Sequence, residues 1–84
     1  STLLVYPNPF DGVVTVDLFM RSYTEDAQLS VYDMTGRRLL QQNLNLNQGS
    51  NVLQIDEAVE WPSGAYLIRI EADDEQLTKK IIRK

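Results

Sequence analysis

The chain has 84 residues, 43% of them hydrophobic, with eight Lys and Arg against twelve Asp and Glu for a net charge of −4, and it contains neither Cys nor His. That is enough for one small domain, read over residues 1–84, and too little for a second core. The missing Cys and His exclude disulfides, thiolate zinc sites, thiol nucleophiles, the usual general base near neutral pH and the usual nitrogen ligand for transition metals, so the chain reads as a non-enzymatic domain without a cofactor.

The charge is unevenly spread. Residues 1–78 hold four Arg and all twelve acids, whereas Lys79, Lys80, Arg83 and Lys84 fall in the last six positions. An acidic body with one short basic terminus argues against nucleic acid, which needs a broad basic face. No apolar run approaches the roughly 20 residues of a membrane span, so no membrane insertion is expected. Ser1 is followed by no basic segment and apolar stretch of the signal-peptide kind. The chain therefore reads as an excised piece of a larger precursor, although Ser1 is equally compatible with a cloning remnant.

In chain order, Leu3 to Tyr6 is a first short strand, followed by the turn residues Pro7, Asn8 and Pro9. Val13 to Phe19 alternates with period two and places Val14, Val16 and Leu18 on one face. Ala27 to Asp33 repeats the pattern, with Ala27, Leu29 and Val31 inward and Gln28, Ser30 and Tyr32 toward water or a partner. Asp33-Met34-Thr35-Gly36 predicts a tight hairpin, because the Asp side chain can bond the turn backbone and Gly accepts positive φ. A strand over Arg37 to Leu46, a polar loop at Asn47 to Asn51 and a strand over Asn51 to Ile55 follow. Asp56 to Glu60 suits a single helical turn. Pro62-Ser63-Gly64 is a turn, with Pro fixing φ at its entry and Gly64 free to take the left-handed conformation. Ala65 to Ala72 puts Tyr66, Ile68 and Ile70 on a core face, and Trp61 is expected as a lid over one end. A charged tip, Asp73-Asp74-Glu75, leads into the last strand, Gln76 to Arg83. Seven short strands suit an all-β antiparallel sandwich.

Chemistry-bearing constellations are sparse. Asp73-Asp74-Glu75 lacks the spaced ligands and central glycine of a calcium loop, and Asp56, Glu57 and Glu60 show no paired acid and base, so no metal site is expected. Trp61, Tyr23, Tyr32 and Tyr66 raise the possibility of a sugar platform, but Tyr66 is better explained as core. Ser63 has no histidine or nearby lysine to activate it.

The order of the motifs resembles the type IX secretion system C-terminal sorting domain across nearly the whole chain. The resemblance rests on YPNPF at Tyr6 to Phe10, VYDMTGRRL at Val31 to Leu39, QGSNVLQI at Gln48 to Ile55, PSGAYLIRI at Pro62 to Ile70 and KIIRK at Lys80 to Lys84. Each motif is weak alone, and their order and spacing carry the match. Arg37-Arg38 after the turn and Trp61 before Pro62 depart from the expected pattern without damaging it. The resemblance implies an immunoglobulin-like fold, attachment to a larger cargo protein, and passage through the periplasm to the cell surface or exterior. It further implies partners in the outer-membrane secretion machinery, a shuttle protein and a sortase that usually removes the domain. Motif and turn residues carried by the resemblance are Pro7, Asn8, Pro9, Asp33, Gly36, Gly64 and Tyr66. The rival reading is an immunoglobulin-like adhesion or carbohydrate-binding module of a secreted protein, and a second rival is a structural spacer.

The last strand has apolar residues on both faces. Ile81 and Ile82 point to opposite sides, so at least one is available to a neighbouring layer, an edge or a receptor, while Lys80 and Lys84 bracket them with charge that discourages uncontrolled edge pairing. Lys80, Ile81, Ile82 and Lys84 are the expected sorting determinant, read either as folded surface or by strand addition at residues 80–84. The alternative is that they only close the sandwich.

Overall fold

The computed structural model spans residues 1–84 and contains seven strands and one short 3₁₀ turn. The strands are β1 (Thr2–Tyr6), β2 (Val14–Met20), β3 (Thr24–Asp33), β4 (Arg38–Leu46), β5 (Gly49–Ile55), β6 (Gly64–Ala72) and β7 (Glu75–Arg83), with the 3₁₀ turn at Asp56–Glu60. They form a three-stranded sheet, β1-β2-β5, and a four-stranded sheet, β4-β3-β6-β7, with every pairing antiparallel. The chain changes sheet between β2 and β3, between β4 and β5, and between β5 and β6. Pairing of β2 with β5 and of β3 with β6 thus joins strands distant in sequence, the arrangement of an immunoglobulin-like sandwich.

Period-two patterning is what drives the two sheets together. Val14, Val16, Leu18 and Met20 on β2 face Ala27, Leu29 and Val31 on β3 and Tyr66, Ile68, Ile70 and Ala72 on β6, all of them buried. Leu3 and Val5 on β1, Ile55 on β5, Leu46 on β4 and Ile81 on β7 complete the layer, and Phe10 and Ala58 are buried from the connections. With no disulfide, this layer is the source of the domain's stability.

Strands start two or more residues earlier than the sequence predicts at two places. β3 begins at Thr24, because a bulge between Thr24 and Ala27 absorbs Asp26 at φ 57° and lets the strand continue past a residue that breaks the alternation. β5 begins at Gly49 instead of Asn51. The Asn51 amide accepts from the Asn47 N–H at 2.9 Å and donates to the Asn47 carbonyl at 2.9 Å, so the turn is closed by one side chain and the polar loop is shorter than expected. Ser30 needs a correction of another kind. It lies on the outer face as predicted, yet it is buried, because the register sets it between Gln41 and Arg69, whose longer side chains flank it.

The β3–β4 hairpin closes on Asp33. One carboxylate oxygen accepts from the Thr35 N–H at 3.0 Å, the Thr35 hydroxyl at 2.6 Å and the Arg37 N–H at 3.0 Å, while the other meets the Arg37 Nε at 3.1 Å. Gly36 sits at φ 88° with open space where a Cβ would be, so a side chain there strains the backbone without meeting a neighbour. Gly36→Val should therefore cost about 1–3 kcal/mol by backbone strain alone. Chemical denaturation checks this, and an unchanged midpoint would contradict it.

Candidate recognition surface

Residues 7–13, which connect β1 to β2 within one sheet, swing across to the outer edge of β7 in the other. Pro7 and Pro9 lack N–H groups, so this segment cannot pair as an ordinary strand. The Asn8 side chain takes over: its amide donates to the Lys80 carbonyl at 3.2 Å and its oxygen accepts from the Ile82 N–H at 2.9 Å. Phe10 then continues the ladder in parallel, its N–H donating to the Ile82 carbonyl at 2.8 Å and its carbonyl accepting from the Lys84 N–H at 2.9 Å. The peptide bonds before Pro7 and Pro9 are both cis. The edge of residues 80–84, which one of the two expected modes would use for strand addition, is thus already occupied by residues 8–10 of the same chain.

Phe10 is fully buried beneath the end of the sandwich, edge-on to Trp61 at 6.2 Å between centroids and 6.3 Å from Tyr66. Trp61 and Tyr66 lie 5.1 Å apart, tilted against one another, and the Tyr66 hydroxyl donates to the Pro62 carbonyl. Trp61 is the lid the sequence predicts and Tyr66 is core. Arg83 lies over the Phe10 ring at 5.8 Å and donates to the carbonyls of Trp61 and Val59 at 3.2 and 3.3 Å. The Ser63 hydroxyl donates to the Lys84 carbonyl at 2.8 Å. Four of the sequence motifs therefore converge on one end, since the Asp33–Gly36 and Pro62–Gly64 turns flank a single cleft of about 310 Å³ lined also by Met34, Trp61 and Tyr66. Gly64 opens β6 there with φ 146°.

The predicted determinant is divided by the pleat. Ile81 is fully buried opposite Tyr66, whereas Lys80 and Ile82 project from the outer face of the four-stranded sheet, Lys80 beside Leu67 and Ile82 beside Ala65. Ile82 is 39% exposed, and Lys80 and Lys84 are exposed. Three features escaped the sequence reading: the pairing of Asn8 with β7, the clamp of Arg83 on Phe10, and Arg69, whose guanidinium stacks over Tyr32 at 5.1 Å. The two prolines flanking Asn8 were the available signal for the first, because they leave only the Asn side chain to bond. At the opposite end, two of the three acids of the β6–β7 tip, Asp73 and Glu75, are engaged within the domain. Asp73 accepts from the Thr24 hydroxyl at 3.4 Å, and Glu75 accepts from the Ser1 hydroxyl at 2.7 Å and lies 3.7 Å from Arg21.

A small antiparallel sandwich whose first connection and last strand are bonded into one shaped end belongs by its architecture to the immunoglobulin-like modules. Residues 4–84 match the family described as the secretion system C-terminal sorting domain. The chain belongs to that family, the sorting domains of type IX secretion, which is a family of signals and not of enzymes. No curated protein matches the chain.

Two outcomes follow from this geometry. Asn8→Ala, which strips two bonds from the β7 edge, should lower stability by about 1–2 kcal/mol. Ile81→Ala should cost about 2–5 kcal/mol as a core cavity, whereas Ile82→Ala should leave the denaturation midpoint nearly unchanged; equal losses at 81 and 82 would contradict the described pleat.

Acid sensitivity is the third. The Thr35 hydroxyl, aided by the N–H groups and charge of Arg37, holds the Asp33 carboxyl below the usual carboxylate range, and the Ser1 hydroxyl does the same for Glu75. A carboxylate whose pKa is lowered on folding stabilises the fold fully above the ordinary range and loses that contribution as pH falls from there through the lowered pKa of the folded state. Thermal melts should show the Tm of the domain declining on acidification. Asp33→Asn should be less stable near neutral pH and approach the parent in acid, with the residual slope set by Glu75; a constant gap across pH would overturn this.

Proposed function

We propose that this domain is the address by which a larger cargo protein, joined ahead of Ser1, is carried from the periplasm across the outer membrane by the type IX secretion machinery, after which a surface sortase removes it. The supporting observation is the bonding of Asn8 and Phe10 to Lys80, Ile82 and Lys84. Opening and closing motifs of the family form one surface only when the chain is folded, so a receptor reading that surface, with the help of a shuttle protein, receives folded domains alone. Lys80, Ile82 and Lys84 are the exposed part of the determinant. Ile81 contributes by holding the strand in place. No helix of the chain is long and apolar enough to cross a membrane.

Recognition of a folded sheet face fits the occupied edge at residues 80–84 better than strand addition, which would first have to displace residues 8–10. In a bacterium with the secretion system, a reporter carrying residues 1–84 should reach the surface or medium. The same reporter with Lys80→Ala and Lys84→Ala should accumulate in the periplasm with an unchanged Tm, since exposed charges contribute little to folding. Failure of the unaltered domain to export the reporter would overturn the proposal, and normal export of the double variant would remove Lys80 and Lys84 from the determinant.

A further inference from the structure

The outer face of the four-stranded sheet carries a charge arrangement that the domain itself does not satisfy. Across its middle, the register aligns Arg38, Tyr32, Leu67 and Lys80 in one row and Gln41, Ser30, Arg69 and Thr78 in the next. Arg38, Arg69 and Lys80 are the cations of these rows, in a chain whose net charge is −4. None of them lies within ion-pair distance of a carboxylate, and the ion pairs of the domain are those of Glu75 and Asp33. The acid of this face, Glu71, stands one row further along β6 from Arg69. Arg69 is the centre of the arrangement. Its head is fixed over the Tyr32 ring at 5.1 Å, and its Nε is shut off from solvent without an acceptor. Stacked on Tyr32 with its Nε enclosed, the guanidinium is held in place, and its two terminal nitrogens, which are not among the buried unpartnered atoms, are preorganised for a carboxylate.

We infer that this face docks an acidic segment of a partner protein, with a carboxylate meeting Arg69 and Lys80 and an adjacent apolar side chain resting on Leu67 and Ile82. The inference rests on the sorting function proposed above and names the surface and chemistry by which the domain is read. Charge complementarity selects the occupant. A sugar would need the Tyr32 face that Arg69 already covers. An anionic membrane calls for a denser basic cluster, of about four to eight Lys or Arg, than these three cations interleaved with Leu67, Ser30 and Thr78 provide.

The test is a titration of the isotope-labelled 84-residue domain, followed by amide chemical shifts. Three probes are compared: a soluble extended peptide alternating glutamate with valine, the same peptide with glutamine for glutamate, and vesicles containing phosphatidylglycerol. The acidic peptide should shift Leu67, Arg69 and Lys80 to Ile82, and added salt should weaken the effect. Arg69→Gln or Lys80→Glu should weaken binding about tenfold or more, the value of a lost charge-assisted bond. Equal binding of the glutamine peptide, shifts confined to the Trp61 cleft, or binding to vesicles alone would overturn the inference. A parallel arm asks whether Lys80→Glu, confirmed folded by its Tm, blocks export of the reporter. Export of that variant at the parental level overturns the docking surface and leaves the sorting function standing. If the parental reporter itself is not exported, the sorting function falls, and the peptide titration alone decides the surface.

Discussion

The bonds that Asn8 and Phe10 make to β7 are the constraint on which this end of the sandwich depends. A sandwich without disulfides holds its sheets together by side-chain packing, and its edge strands are where that packing is thinnest and the backbone groups are unpaired. Here the β1–β2 connection of one sheet supplies partners to the edge of the other. It therefore joins the layers by hydrogen bonds where burial alone would have to suffice. Phe10 is consequently drawn under the end of the core, Trp61 and Tyr66 pack on it, and Arg83 closes over it. Were the connection to lift, the aromatic cluster would lose its centre and residues 80–84 would be left as a bare edge.

Much of this fold was legible because the physics that builds it is local. Val14, Val16 and Leu18, or Tyr66, Ile68 and Ile70, alternate with polar neighbours, and a pleated strand turns that alternation into a buried face irrespective of what it packs against. Asp33 and Gly36 likewise announce a turn through their own side-chain and backbone chemistry. What was hidden depended on partners far along the chain. Ser30 is a small polar residue that alternation sends outward, and its burial follows only from having Gln41 on one side and Arg69 on the other. The occupant of the β7 edge lies more than 70 residues away in sequence, with |i−j| of 72 and 74 for the two Asn8 bonds, and no periodicity encodes it. Nothing in the local sequence singles out Arg69; only the pairing of β3 with β6 brings it over Tyr32.

Separation of Ile81 from Ile82 gives one strand a structural face and the face proposed for recognition. The side facing the core fixes the position of the strand to within the tolerance of close packing. The side facing outward inherits that precision at no further cost in flexibility, which is what a surface requires if a partner is to read Lys80, Ile82 and Arg69 as one arrangement. Four of the five motifs on which the sequence resemblance rests meet at one end of the sandwich.

The position of Ser1 has a mechanical consequence. Its hydroxyl lies against Glu75, at the far end of the β6–β7 hairpin from Lys80 to Lys84, and the domain measures 35 Å along its longest axis. A cargo joined ahead of Ser1 and a receptor gripping the other end of β7 would pull along the strands. Inter-strand hydrogen bonds run across that direction, so tension would shear whole ladders at once instead of peeling them open one rung at a time. Under the proposed arrangement, the domain would be loaded in the direction in which its ladders resist best.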